Sequence, residues 1–192
     1  MKKITVRNVL ILIAVFAVIA GIGVGMRFFF NGAQKSSYPL KYEQEVDAAS
    51  KKYGVDKALI YAVIKTESNF DPNARSRAGA VGLMQIMEDT FTWMQTFYKD
   101  DNNYSFDDMY DPALNIDYCT EVLSVLIERY DGNEDTAVCA YNGGVGHVDS
   151  WLEDPRYSDD GKTLKTVPFT ETENYRKIVA RNKSIYTKTY FS

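Results

Sequence analysis

One carboxylate dominates the residues able to do chemistry. The stretch YAVIKTESNF, residues 61–70, has helical spacing. On a helix Leu59, Ile60, Val63 and Glu67 share one face, because positions three, four and seven apart lie together. Glu67 therefore continues an apolar stripe with no Lys or Arg at helical spacing on it, and Lys65 points elsewhere. An apolar surround disfavours the charged carboxylate, so such a group keeps its proton to higher pH than usual. That suits a general acid, for example one that protonates a leaving glycosidic oxygen. The plainer use of a lone Glu at such a place is a half-buried residue hydrogen-bonded to backbone.

Other chemistries fit less well. His147 is the only histidine, which excludes a multi-His metal centre, and the spacing of Cys119 and Cys139 is not that of a zinc site. NGGVG, residues 142–146, lacks the preceding strand and following Lys of a phosphate-binding loop. No Ser sits in a nucleophile elbow. No cofactor is expected. Four of the 22 basic residues and none of the 26 acids fall in the first 34 positions, so the remainder is acidic by eight. That balance argues against nucleic acid as a partner. The 14 Tyr and 10 Phe supply rings that can pack a core or stack on sugars.

The elements that must position Glu67 are helical, and the fold class expected is all-α. KYEQEVDAASKKYG puts Tyr42, Val46, Ala49 and Tyr53 on one face and stops at Gly54. Asp56 caps the helix that carries Glu67. After the loop DPNARSRAGA, a third helix is expected from about Gly82 to Phe97. Pro112 opens a longer helix with an apolar stripe at Cys119, Val122, Leu123, Leu126, Ile127 and Tyr130. Short helices are expected at 135–141 and 146–152, and a last one at 170–186. No segment alternates with period two, so any strands are short and local.

The N-terminus differs from the rest. Residues 1–8 carry Lys2, Lys3 and Arg7, and the run from Val9 to Met26 holds no charge. As a helix that run spans about 27 Å, close to the hydrocarbon thickness of a bilayer. Its basic flank places residues 1–8 in the cytoplasm and the bulk of the chain outside. The expectation is a transmembrane anchor at 9–30, a small polar linker at 31–39 and an exported domain at 40–192; a cleaved signal peptide is the rival reading. Outside the cytoplasm Cys119 and Cys139 could form one disulfide, or remain two buried thiols.

Glu67 is followed in order by SNF, NARSRAGAVGLMQIM, AYNGG and ETENY. With these motifs the segment from about Tyr42 to Tyr175 resembles the catalytic domain of lytic transglycosylases of the soluble-transglycosylase type, a lysozyme-like (goose-type) fold that cleaves bacterial peptidoglycan. The resemblance implies Glu67 as the catalytic acid and base. It places Ser76, Gln85 and Met87 along the glycan subsites. Tyr141 and Asn142 would stand beside the acid, and Glu171 and Tyr175 would close the cleft. Each also has a bland use: Met87 as core filler, Ser76 as a loop turn, Tyr141 as packing, and Gly143 and Gly144 as a helix stop. DPALNIDYCTEVL looks like the family's NI..G..YL helix, with Cys119 where Gly is usual. Cys139 replaces a small residue before AYN, and Glu88 stands where Pro is usual.

The motifs supply one carboxylate at the catalytic position, which fits a single-acid route. That route cleaves the bond between N-acetylmuramic acid and N-acetylglucosamine and closes a 1,6-anhydro ring. Two alternatives stay open. One is a muramidase in which Asp71 or Glu171 activates water. The other is a membrane-tethered wall-binding or assembly module, a partner of a cell-wall or secretion complex.

Overall fold

The computed structural model describes residues 16, 19, 21–23, 26, 32–98 and 104–192. The chain divides into two compact units, Met1–Pro39 and Leu40–Ser192. In the first unit residues 32–37 of the expected linker are helical. Among the described residues no helix is long and apolar enough to cross a membrane. Residues 1–8 and most of the expected anchor at 9–30 lie outside the described residues.

The second unit is built from seven α-helices among its described residues: α1 (Glu43–Tyr53), α2 (Lys57–Glu67), α3 (Glu88–Tyr98), α4 (Pro112–Arg129), α5 (Glu134–Gly143), α6 (Val145–Leu152) and α7 (Thr170–Tyr186). Strand pairing there is limited to isolated bridges. Helix starts follow the capping residues. Asp56 accepts from the Ala58 N–H at 2.9 Å, Asp111 from Ala113 and Leu114, and Asn133 from Thr136. Gly54 ends α1 in the left-handed conformation.

α2 is the axis of the unit. The expected stripe is a cylinder: every residue from Ala58 to Ile64 is buried, so this helix is wrapped on all sides rather than laid on a surface. Each fully buried Leu, Ile or Val there contributes about 1.5–3 kcal/mol. α7 lies along α2, with Tyr186 stacked on Tyr61 at 5.2 Å between ring centroids and Asn182 Nδ2 donating to Thr66 Oγ1 at 3.0 Å. α1 is pinned to α4 by Ser124 Oγ donating to the Tyr53 carbonyl and by the Lys52–Asp117 ion pair.

The expected helix from Gly82 to Phe97 forms only from Glu88. Residues 81–86 instead make a tight turn closed by paired hydrogen bonds between Val81 and Ile86. Gly82 sits at φ 79° and Gln85 at φ 54°. A Cβ at Gly82 would lie 2.2 Å from Asn115 Nδ2 and 2.4 Å from the Met109 carbonyl oxygen. The backbone is drawn into α4 too closely for any side chain, and a helical path is lost to hydrogen bonds with Asn115.

Candidate active site

Glu67 is the last helical residue of α2, at the point where the buried axis reaches the surface. The chain then turns sharply, because Asn69 (φ 52°) and Phe70 (φ 67°) are both left-handed. Such positions cost on the order of 1 kcal/mol or more each. Phe70 offsets part of that cost by burying its ring against Tyr61. Burial pushes the Glu67 carboxyl up to about 7, the neighbouring Tyr175 pulls it back down, and the charge of Glu171 pushes it up further. A group with that value carries a proton about half the time near neutral pH.

Tyr175, on α7, is buried, and its hydroxyl makes no hydrogen bond of full geometry. It lies against the Glu67 carboxyl in a looser contact, which holds the phenol well above its usual range together with burial. Glu171, one turn earlier, is exposed and acts on Glu67 only through its charge. The two arrive there because α7 begins against the end of α5. A Cβ on Gly143 would stand 2.9 Å from Thr172 Oγ1, so glycine permits that approach. Gly144 follows at φ 85°, ψ 143°, a region closed to other residues. The paired glycines are thus both a helix stop and a close contact.

The turn at 82–85 is held from three helices. Ser68 Oγ, at the end of α2, donates to the Leu83 carbonyl at 2.8 Å. Tyr141, on α5, donates its hydroxyl to the Met84 carbonyl at 2.8 Å. Asn115, on α4 and fully buried, accepts from the Met84 N–H at 2.8 Å and donates to the carbonyls of Val81 and Met109. The Tyr141 hydroxyl therefore goes to the backbone rather than to Glu67, although burial and the charges of Cys119, Tyr175 and Glu67 all raise its pKa.

The sequence pattern of the transglycosylase SLT domain matches residues 44–164. The chain belongs to this family. Membrane-bound lytic murein transglycosylase C of Edwardsiella ictaluri is 34% identical over an aligned length of 163, covering 78% of this chain and 43% of that protein. The chain thus spans less than half the length of this curated relative. An inactive glutamate-to-glutamine mutant of lytic transglycosylase Slt from Pseudomonas aeruginosa superposes with a TM-score of 0.71 at 30% identity, over 79% of this chain and 24% of that one. The 70 kDa soluble lytic transglycosylase of Escherichia coli gives 0.73 at 27% identity, over 81% and 25%.

The SLT fold brings most of the expected residues together, with uses that differ. Gln85, Met87, Tyr141 and Asn142 line one cavity of about 370 Å³ that also holds Ile86, Trp93 and Val145. Gln85 spends its amide nitrogen on the carbonyls of Ala74 and Gly82, at 3.1 and 2.9 Å. Met87 is 40% exposed, so it is a surface contact rather than core filler. Ser76 turns its loop: its hydroxyl accepts from the Ala80 N–H at 3.0 Å.

Cys119 and Cys139 are both buried and free, not bridged. They face different ways. The Cys119 thiol lies between Asn115 Oδ1 (3.9 Å) and the Tyr141 hydroxyl, near Glu67. Cys139 is turned to Asp135, Glu173 and Arg176 on the other side of α5. Burial pushes each thiol up to about 12. Among the described residues no group of His, Cys, Asp and Glu is arranged to hold a metal ion. Ser68 and Asn115 are site residues that motif reading did not assign. Asn115 could have been found as Glu67 was, since it is the polar residue four before Cys119 on an apolar helix face.

Proposed function

We propose that Leu40–Ser192 is a peptidoglycan lytic transglycosylase with Glu67 as its single acid and base. The observation that carries this reading is a lone carboxyl at the end of a buried helix, held near neutrality and opening beside a cavity with room for a sugar. A 70-kDa soluble lytic transglycosylase of the same fold has been solved in complex with bulgecin A, which supports a ligand-accepting cleft in this family.

In this reading the protonated Glu67 gives its proton to the glycosidic oxygen between N-acetylmuramic acid and N-acetylglucosamine. The bond from that oxygen to C1 breaks, and positive charge develops at C1 as an oxocarbenium-like state. The N-acetyl carbonyl of the substrate stabilises it. Glu67, now a carboxylate, removes the proton from the sugar's own 6-hydroxyl, whose oxygen bonds to C1 and closes the 1,6-anhydro ring. Glu67 ends protonated as it began, and no water is consumed. The other carboxylates suit this route. Asp71 is exposed and engaged with the Asn73 N–H at 2.9 Å, and Glu171 raises rather than lowers the pKa of Glu67.

The uncharged run at 9–26 behind Lys2, Lys3 and Arg7 supports a single-pass anchor in the bacterial membrane with the catalytic unit outside the cytoplasm, as does the membrane-bound name of the relative. Such a tether would confine cutting to glycan near the membrane and fits membership of a wall-building or secretion complex.

Mass spectrometry of glycan fragments from digested peptidoglycan, wild type beside Glu67→Gln, tests the reading. Anhydro-muramyl products are expected from the wild type, with turnover at least about 10³-fold lower in the variant. Reducing-end products would make the enzyme a hydrolase with Asp71 or Glu171 as base. No products from the wild type would point to the binding module.

A further inference from the structure

On α4, Cys119 stands where the family pattern has Gly, and it takes no part in the proton transfers. Its side chain is fully buried, and its neighbours are the groups that hold the acid. The thiol donates to Asn115 Oδ1 at 3.9 Å, one helical turn earlier on the same face. The Tyr141 hydroxyl lies on its other side. Those two partners grip opposite ends of one residue. Asn115 Oδ1 accepts from the Met84 N–H and Tyr141 donates to the Met84 carbonyl, each at 2.8 Å. The thiol also completes Asn115. The amide nitrogen donates to the Val81 and Met109 carbonyls, and the oxygen, with two lone pairs, accepts from Met84 and from the sulfur.

Four groups face Glu67 from the helices packed around it: Cys119 on α4, Tyr141 on α5, and Tyr175 and Glu171 on α7. Cys119 is the smallest of them, and it borders both tyrosines. Burial pushes its thiol up to about 12, so it remains a neutral S–H donor. We propose that Cys119 is a positioning residue for the acid: its thiol joins Asn115 and Tyr141 into one frame around Met84 and fills space beside Glu67 that a smaller residue would open to water. The inference rests on the reading of Glu67 as the acid and deepens it. The hollow left without the sulfur is lined by Asn115 and Tyr141, the polar partners that a water needs. Water there solvates the charged carboxylate, so loss of the thiol lowers the pKa of Glu67.

The test compares Cys119→Ala and Cys119→Ser with Cys139→Ala in the full chain in detergent, with purified peptidoglycan as substrate. Cys139 is equally buried but faces Asp135, Glu173 and Arg176, so it controls for the loss of a core thiol as such. In Cys119→Ala the pH at which kcat/KM falls is expected about one unit below that of the wild type. At pH 7 that shift costs roughly fivefold in protonated acid. Cys119→Ser keeps a donor and most of the volume, and is expected to bring the limb back. Cys139→Ala leaves it in place. The same shift can be read without turnover: the stability that Glu67→Gln gains at pH 8 is smaller in the Cys119→Ala background than in the wild type. A limb that stays put in Cys119→Ala, or moves as far in Cys139→Ala, would overturn the positioning role while leaving Glu67 as the acid. So would a limb that Cys119→Ser fails to restore. A wild type whose cleavage survives Glu67→Gln would overturn both.

Discussion

The two walls beside the acid are made on opposite plans. On one, the turn at 82–85 is fixed by Ser68, Asn115 and Tyr141 from three different helices, and two left-handed residues are held in place behind Glu67. On the other, Met87 and Trp93 stand partly in solvent over a hollow. The first wall fixes backbone and a proton-bearing group; the second offers side-chain surface. A reacting carboxyl must be held to a fraction of an ångström, whereas a sugar ring tolerates a softer contact. In the proposed function, over-determination on one side and exposure on the other would divide chemistry from recognition.

Asn115 is the sharpest way to break that contrast. Its amide makes hydrogen bonds to Val81, Met84 and Met109, all in the core. Asn115→Ala leaves those groups unpaired and opens a void, so a loss on the order of 3 kcal/mol is expected from denaturant unfolding. A substitution on the open wall, Met87→Ala, should change stability by no more than about 0.5 kcal/mol. If the two cost the same, the walls do not differ as described.

Burial holds the Glu67 carboxyl near neutrality at the expense of stability. Its folded value of about 7 stands above the usual 4.5. The unfolded chain therefore ionises first as pH rises, and the fold is progressively penalised between those two values. Glu67→Gln removes the penalty. Near pH 4 the variant and wild type should melt alike. Near pH 8 the variant should be more stable by on the order of 2 kcal/mol. If Glu67 is the acid, the same titration should appear in the kcat/KM of the wild type, falling as pH rises through about 7 because the acid has lost its proton. A variant no more stable than wild type at pH 8 would show that the carboxyl is not raised.

What could be read from the sequence followed the same division. The helix starts at Asp56 and Pro112, the stop at Gly54 and the final helix at 170–186 were legible because caps and periodicity are local properties of the chain. Glu67 was legible as a charge on an apolar face. The turn at 82–86 was not, because helical spacing in GLMQIM is overridden by a buried Asn 33 residues after Gly82 and by the backbone approach that only glycine allows. The thiols were ambiguous for a related reason. Sequence places Cys119 and Cys139 on helices that pack together, but the direction each faces is set by the rotation of α4 and α5. Gln85 illustrates the middle case: the motif located it, while its backbone-clamping amide is visible only in three dimensions.

Tyr141 gives the finest test, because its phenol could serve the acid or the turn. Its hydroxyl donates to the Met84 carbonyl. Tyr141→Phe keeps the ring and removes that bond together with the weaker contact to the Cys119 thiol, so unfolding should show a loss of about 1 kcal/mol. If the hydroxyl acts by holding the turn, the pH at which kcat/KM falls stays where it is in the wild type, because Glu67 keeps its burial, Tyr175 and Glu171. kcat itself drops modestly, roughly tenfold, from looser positioning. If the hydroxyl instead bonds the carboxylate during turnover, its removal destabilises the ionised form and the pH limb moves upward. The position of that limb, measured with wild type and Tyr141→Phe side by side, separates a tyrosine that holds the wall from one that tunes the acid.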